Sequence, residues 1–204
     1  MPLKDLNSDL YNYVIHELTN ENSWMEYHTG NIVKYKNLDI ILHQANCFHT
    51  MLAGVARYLL DAYPIIGIED KKTKYGDLNK LGHYTACLTD LPNDIIIFNI
   101  YSQFKPGSSK DLPDNDVDSA SNRLKYLECA LKSIADNIEI FNININDNIK
   151  QIRIGIPWLI GCGIAGGNIN DTFLTIKNIF EPIKNNVKII FIDINGEPEY
   201  VESK

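Results

Sequence analysis

The sequence predicts an α/β fold in three layers, helices on both faces of a central sheet, and three observations lead there. Short apolar runs rich in Ile alternate with stretches of helical periodicity along most of the 204 residues, the pattern of strands joined by crossover helices. Residues 38–43 (LDIILH) form an apolar run of the length expected for a strand buried on both faces. Hydrophobic residues make up 45% and charged residues 22% of the chain, which is the balance of one ordinary globular domain.

Each element follows from local pattern. Residues 4–19 place Leu6, Leu10, Tyr13, Val14 and Leu18 on one helical stripe, so an amphipathic helix is expected as an N-terminal extension, residues 1–22, ahead of the domain proper at 23–196. Residues 24–27 make a short strand, and residues 38–43 a buried one that gives way to Gln44-Ala45-Asn46. A helix is expected over 53–62, with Leu59, Leu60 and Tyr63 toward the sheet, ending before Pro64 because the residue ahead of a proline disfavours the α region. A polar connection rich in Lys and Asp leads to strands at 84–88 and 95–100, joined across Pro92-Asn93-Asp94 as a hairpin or near-hairpin. Residues 105–118 (KPGSSKDLPDNDVD) have loop composition, and 119–138 make a long helix with Leu124, Leu127, Leu131, Ile134 and Ala135 on one side. The stretch 137–148 (NIEIFNININDN) is close to low complexity and carries no functional signal. A strand at 152–156, a glycine-rich turn at 161–167, a helix at 171–180, a strand at 187–194 and a tail at 197–204 complete the chain.

Charge and cysteine usage exclude several classes. A formal charge of -7 and a pI near 5.2 argue against duplex-DNA binding, which needs a dense field of Lys and Arg. A small anion remains possible, because oriented backbone N–H groups bind anions without basic side chains. Cys47, Cys87, Cys129 and Cys162 lack CxxC or His/Cys ligand spacing, so no metal site and no disulfide framework is expected. The N-terminus has no secretory signature and no stretch has the length of an apolar membrane span, which makes a cytoplasmic location the default.

In open α/β sheets, ligands sit beyond the carboxyl ends of strands, where loops lead into helix N-termini. Two segments occupy that position: residues 42–56 (LHQANCFHTMLAGVA) and 156–167 (IPWLIGCGIAGG). Gly161, Gly163, Gly166 and Gly167 give the second the backbone freedom needed to wrap an anion. A glycine-rich turn alone is more often a tight turn than a site; the pairing of two such loops is what raises the functional reading.

Four segments in order, GNI at 30–32, HQANC at 43–47, AGVA at 53–56 and IPWLIGCGIAGG at 156–167, resemble the macro domain family. The branch that processes ADP-ribose 1''-phosphate is the most similar, over about residues 24–195. The resemblance implies a mixed sheet of about six strands with ADP-ribose lying across the strand ends, and no cofactor. It implies Asn31 and Ile32 beside the adenine, although the family usually has Asp where Asn31 stands. Asn46, next to Ala45, would hold the distal ribose through an amide that both donates and accepts. Gly54, Val55 and Ala56 would form the first phosphate loop, and Gly161, Cys162, Gly163, Ile164, Ala165 and Gly166 the second. Asn195 completes the implied binding set.

The departures bear on catalysis. Leu52 and Ala53 stand where relatives carry glycine or another small residue, and Ala56 and Ala165 stand where several hydrolytic relatives have an acid. Asn168 and Ile169 replace an Asp and a Trp, with capping and packing as the expected roles. His49 is the titratable candidate nearest Asn46, but relatives that use a loop histidine place it at the position of Met51. The expected function is therefore an ADP-ribose-binding domain that hydrolyses ADP-ribose 1''-phosphate, with Asn46 and His49 as the catalytic candidates. A non-catalytic reader of free or protein-linked ADP-ribose is the alternative. Removal of ADP-ribose from modified protein or nucleic acid is a third.

Overall fold

The structure is a computed structural model that describes residues 18, 23–89, 94–138 and 151–194. Six strands form one sheet: β1 (Met25–Thr29), β2 (Ile40–Asn46), β3 (Tyr84–Leu88), β4 (Ile96–Gln103), β5 (Ile152–Pro157) and β6 (Val187–Asp193). Their spatial order is β1-β6-β5-β2-β4-β3. All neighbouring pairs are parallel except β3 with β4, so the sheet is mixed, with its one antiparallel strand at an edge.

Two cores explain the three layers. Alternate residues of one strand point to opposite faces, and β2 sends Ile40 and Leu42 to one core while Ile41 and Ala45 go to the other. Strands β4 and β6 divide in the same way, Phe98 and Phe191 on the first face, Ile97 and Ile190 on the second. Helices α3 (Ala120–Asp136) and α4 (Ile169–Phe180) cover the first face with Leu127, Leu131, Phe173 and Phe180. The second face takes α1 (Gly54–Ala62) and α2 (Ile65–Lys71) through Leu59 and Ile66. Capping sets two of these helix starts: Ser119 accepts from Asn122 N, and Asn168 from Asn170 N and Asp171 N. Asn168 and Ile169 thus have the capping and packing roles expected of them, with Ile169 buried in the first core.

Several boundaries differ from expectation. The segment after Pro64, expected as a polar connection, holds α2. Seven residues are too few to display a periodic stripe, and this helix owes its place to the buried Ile66 and Asp70 rather than to intrinsic propensity. Strand β2 runs on through Gln44, Ala45 and Asn46, and β4 through Tyr101, Ser102 and Gln103, because pairing between the two extends to their ends. The expected N-terminal helix lies outside the described residues except for Leu18, as do Pro92, Asn93, most of 137–148, Asn195 and the C-terminal tail. No helix among the described residues is long and apolar enough to cross a membrane.

One buried polar cluster ties α2 to the sheet. The carboxylate of Asp70 accepts from Lys80 Nζ at 3.2 Å and from Tyr101 Oη at 2.8 Å. The same Lys80 ammonium lies 4.1 Å from the centre of the Tyr101 ring. Both ionised side chains are nine-tenths or more buried, so removing one leaves the other uncompensated away from water. Lys80→Met is expected to cost about 3 kcal/mol of stability, read from denaturant midpoints; a cost below about 0.5 kcal/mol would mean that water reaches Asp70.

Candidate functional site

A cavity of about 440 Å³ opens where the parallel strands end, within the usual range for a small-molecule site. Its walls come from β2 and β4 (Asn46, Gln103), from 53–56 at the start of α1, from 157–161 and 163–165 after β5, and from Ile192 and Asp193 of β6. Pro106 and Gly107 of the loop after β4 add a wall that sequence reasoning did not foresee.

The structure brings most of the expected residues together. Asn46, Gly54, Val55, Ala56, Gly161, Gly163, Ile164 and Ala165 all line this one space. Asn46 also pins its own loop: Oδ1 accepts from Phe48 N at 2.9 Å and Thr50 N at 3.4 Å, and Nδ2 donates to Thr50 O at 2.6 Å. One Nδ2 hydrogen is left over. The turn-forming and ligand-facing roles of this asparagine are thus compatible in one rotamer.

Helix α1 begins without a side-chain cap. Ala53 stands at its N-cap and offers no side-chain hydrogen bond, so the first N–H groups lack the partner that Ser119 gives α3 and Asn168 gives α4. Residues 54–56, at the positive end of the helix dipole, line the cavity. Gly54 takes φ +58 to turn the chain into the helix, a conformation in which an L side chain is strained.

The second loop is held from outside. Ala165 O accepts from Ser109 N at 2.9 Å, Ser109 Oγ at 2.9 Å and Arg123 Nη1 at 3.1 Å. Gly166, at φ +79, packs so closely on the loop after β4 that a Cβ would stand 2.8 Å from Ser108 Oγ. Its place is therefore behind the cavity wall. Cys162 also turns outward, its Sγ within 3.2 Å of Thr172 Oγ1, and burial raises its pKa.

Other expected residues stand apart. Asn31 Oδ1 accepts from Val33 N at 3.0 Å, and Ile32 is buried in the second core. Neither lines the cavity, but Gly30 N donates to Asp193 O at 2.8 Å, so their turn borders its β6 end. Ala45 points into the second core. His49, the catalytic candidate, faces away: Nε2 lies 3.0 Å from Thr73 Oγ1 and 3.8 Å from Asp70 Oδ1. Its backbone φ of +52 aims the ring at the buried Asp70 cluster rather than at Asn46.

Two further side chains set the electrostatics. Asp193 is the only Asp, Glu, Lys or Arg among the described lining residues, and it accepts from Tyr27 Oη at 2.7 Å. His43 lies on the floor with its ring engaged. Asn99 Nδ2 donates to Ile66 O and Thr85 Oγ1, which turns Asn99 Oδ1 toward His43 Nε2, 2.6 Å away. Burial holds the His43 pKa below its ordinary value, against the opposing pull of Asn99 Oδ1 and of Gln44 O, 3.1 Å from Nδ1. The described residues contain no His, Cys, Asp and Glu cluster able to hold a metal.

No family model matches the chain. A curated relative, the uncharacterized 17.5 kDa protein in the tk-vs intergenic region of Enterobacteria phage T4, is 33% identical over 173 residues, 79% of this chain and 96% of its own. Among solved structures, the macrodomain of Mycobacterium tuberculosis DarG superposes with a TM-score of 0.62 at 16% identity, covering 82% of this chain and 96% of that one. Thermosipho africanus DarTG in complex with ADP-ribose gives 0.55 at 11% identity, covering 79% of this chain and 39% of the other.

The thiols around the site are expected to be inert. Burial pushes Cys47 and Cys87 up to about 11, which leaves about one thiolate in a thousand at pH 8. Iodoacetamide at that pH should modify the exposed Cys129 first, by peptide mass mapping. Equally fast alkylation of Cys162 would reveal an activated thiol in the loop.

Proposed function

We propose that this chain, which has the macrodomain fold and shares a family with the phage T4 protein, is a macro domain whose cavity binds ADP-ribose. One observation carries this reading: the uncapped start of α1 and the turn at 161–165, distant in sequence, line the same space at the strand ends. The uncapped N–H groups at the start of α1 suit one phosphate, and in the turn at 161–165, where Cys162 N and Gly163 N already donate to Leu159 O, those of Gly161, Ile164 and Ala165 suit the other, so no lysine or arginine is required. The solved relative that holds ADP-ribose supports the same ligand.

Charge orients the ligand. The carboxylate of Asp193 repels phosphate and accepts from an N–H group, so the adenine lies at the β6 end, beside the Asn31 turn, and the diphosphate sits between the loops. The distal ribose then reaches Asn46, whose remaining amide hydrogen meets a sugar hydroxyl. This arrangement favours recognition over turnover. Near Asn46 the described residues offer no side chain placed to align water, since His49 faces Asp70 and the His43 ring is engaged. Hydrolysis of ADP-ribose 1''-phosphate would have to use the substrate's own phosphate as base.

Calorimetric titration tests the pocket. ADP-ribose is expected to bind more tightly than AMP, ATP or NAD. Gly163→Val should abolish binding without unfolding the chain, because a Cβ at Gly163 meets nothing within 4 Å and projects into open space. Asn46→Ala should weaken ADP-ribose by about tenfold or more, one or two hydrogen bonds' worth. Equal affinity of wild type and Gly163→Val would remove the loop at 161–165 from the site. Phosphate release from ADP-ribose 1''-phosphate by the wild type would establish turnover.

A further inference from the structure

Gln103 stands directly across from Asn46. The register between β2 and β4 shifts after Ala45, which pairs with Tyr101, so that Asn46 pairs with Gln103 and Ser102 is the additional residue. Such a bulge re-aims side chains, and here it puts two amides side by side at the strand ends. Gln103 is 9% exposed and lines the cavity. Its Oε1 accepts from Arg123 Nη1 at 3.4 Å, and its Nε2 has no partner among the described residues.

The Arg123 contact, the longest of three that share the two Nη1 hydrogens, favours one orientation of the amide. Arginine has donors only and keeps its charge, so the reverse orientation would set N–H groups against N–H groups. Arg123 cannot turn away either. It is 5% exposed, donates through Nε to Asp118 Oδ1 at 3.0 Å, and reaches Gly107 O at 2.7 Å, Ala165 O at 3.1 Å and Lys105 O at 3.3 Å. One guanidinium thus holds the end of β4, the loop after it and the loop at 161–165. The Nε2 hydrogens of Gln103 are left for the cavity.

We infer that Gln103 determines specificity at the second-sugar end of the pocket by donating to oxygen there, and that Arg123 is the positioning residue which fixes it as a donor. The inference rests on the ADP-ribose reading and narrows it. Beside Asn46, whose spare group is also an N–H, this end matches acceptor oxygens, either a ribose hydroxyl or a phosphate ester on the anomeric carbon.

The test is titration of ADP, ADP-ribose and ADP-ribose 1''-phosphate into wild type, Gln103→Glu and Arg123→Lys, with a melting curve for each protein. Gln103→Glu preserves the fold, since a carboxylate pairs with Arg123 at least as well as an amide, but it presents no donor. ADP should bind it within about twofold of wild type, while ADP-ribose weakens by about tenfold, the loss of a hydrogen bond plus repulsion. A larger loss for the 1''-phosphate than for ADP-ribose assigns the contact to the ester oxygens; equal losses assign it to the hydroxyl. Arg123→Lys should lower the preference for ADP-ribose over ADP, because an ammonium lacks the planar fork that orients the amide. An unchanged ratio of ADP-ribose to ADP affinity in Gln103→Glu, or an equal loss for both ligands, overturns the inference alone. Failure of the wild type to bind any of the three overturns the ADP-ribose reading with it.

Discussion

Parallel hydrogen bonding between β2 and β5, Ile40 with Ile154 and Ile41 with Gly155, is the constraint on which the site depends. Two parallel strands paired side by side release their chains at the same edge of the sheet. The segment that leads into α1 and the turn after β5 lie more than 100 residues apart in sequence, yet this pairing makes them neighbours. Strand β6 beside β5 and β4 beside β2 then fix which groups stand at either end of the cavity. A carboxylate arrives on one side with Asp193, and a pair of amides on the other with Asn46 and Gln103.

The proposed anion site, in an acidic protein, needs its positive potential from somewhere other than lysine. Backbone provides it here through a helix start with no side-chain cap. The buried guanidinium behind the site, Arg123, is used indirectly. Asp118 neutralises it, and its hydrogen bonds go to carbonyls and to Gln103 rather than into the cavity. Burying such a pair contributes little net stability, but its geometry is hard to deform, since either partner alone is costly away from water. Arg123 therefore specifies shape: it decides where the loop after β4 and the loop at 161–165 meet.

The alternation of strands and helices was legible in the sequence because β-branched runs and amphipathic stripes record burial directly. Gly54, Gly161 and Gly163 of the cavity wall were legible because they fall in the two segments that lead from a strand end toward a helix. What escaped was set by tertiary contacts. Helix α2 is too short to carry a pattern, and the role of Pro106 and Gly107 as a wall depends on Arg123, which in sequence is one more charged residue on a helix. Position along a loop also misled: His49 lies three residues past Asn46, but a left-handed backbone turn sends its ring to Asp70. Its sequence signal was proximity, which carries no direction.

The same turn bears on chemistry. A base for water at the anomeric carbon must stand within hydrogen-bond reach of that water with its lone pair available. Asn46 spends its carbonyl on Phe48 and Thr50, Gln103 spends its own on Arg123, and both present hydrogens toward the cavity. Groups so arranged stabilise negative charge on a bound sugar or phosphate, but they abstract no proton. On the proposed ADP-ribose reading, an end of the pocket built from donors favours holding an oxygen-rich ligand, and a base for turnover would come from the ligand itself.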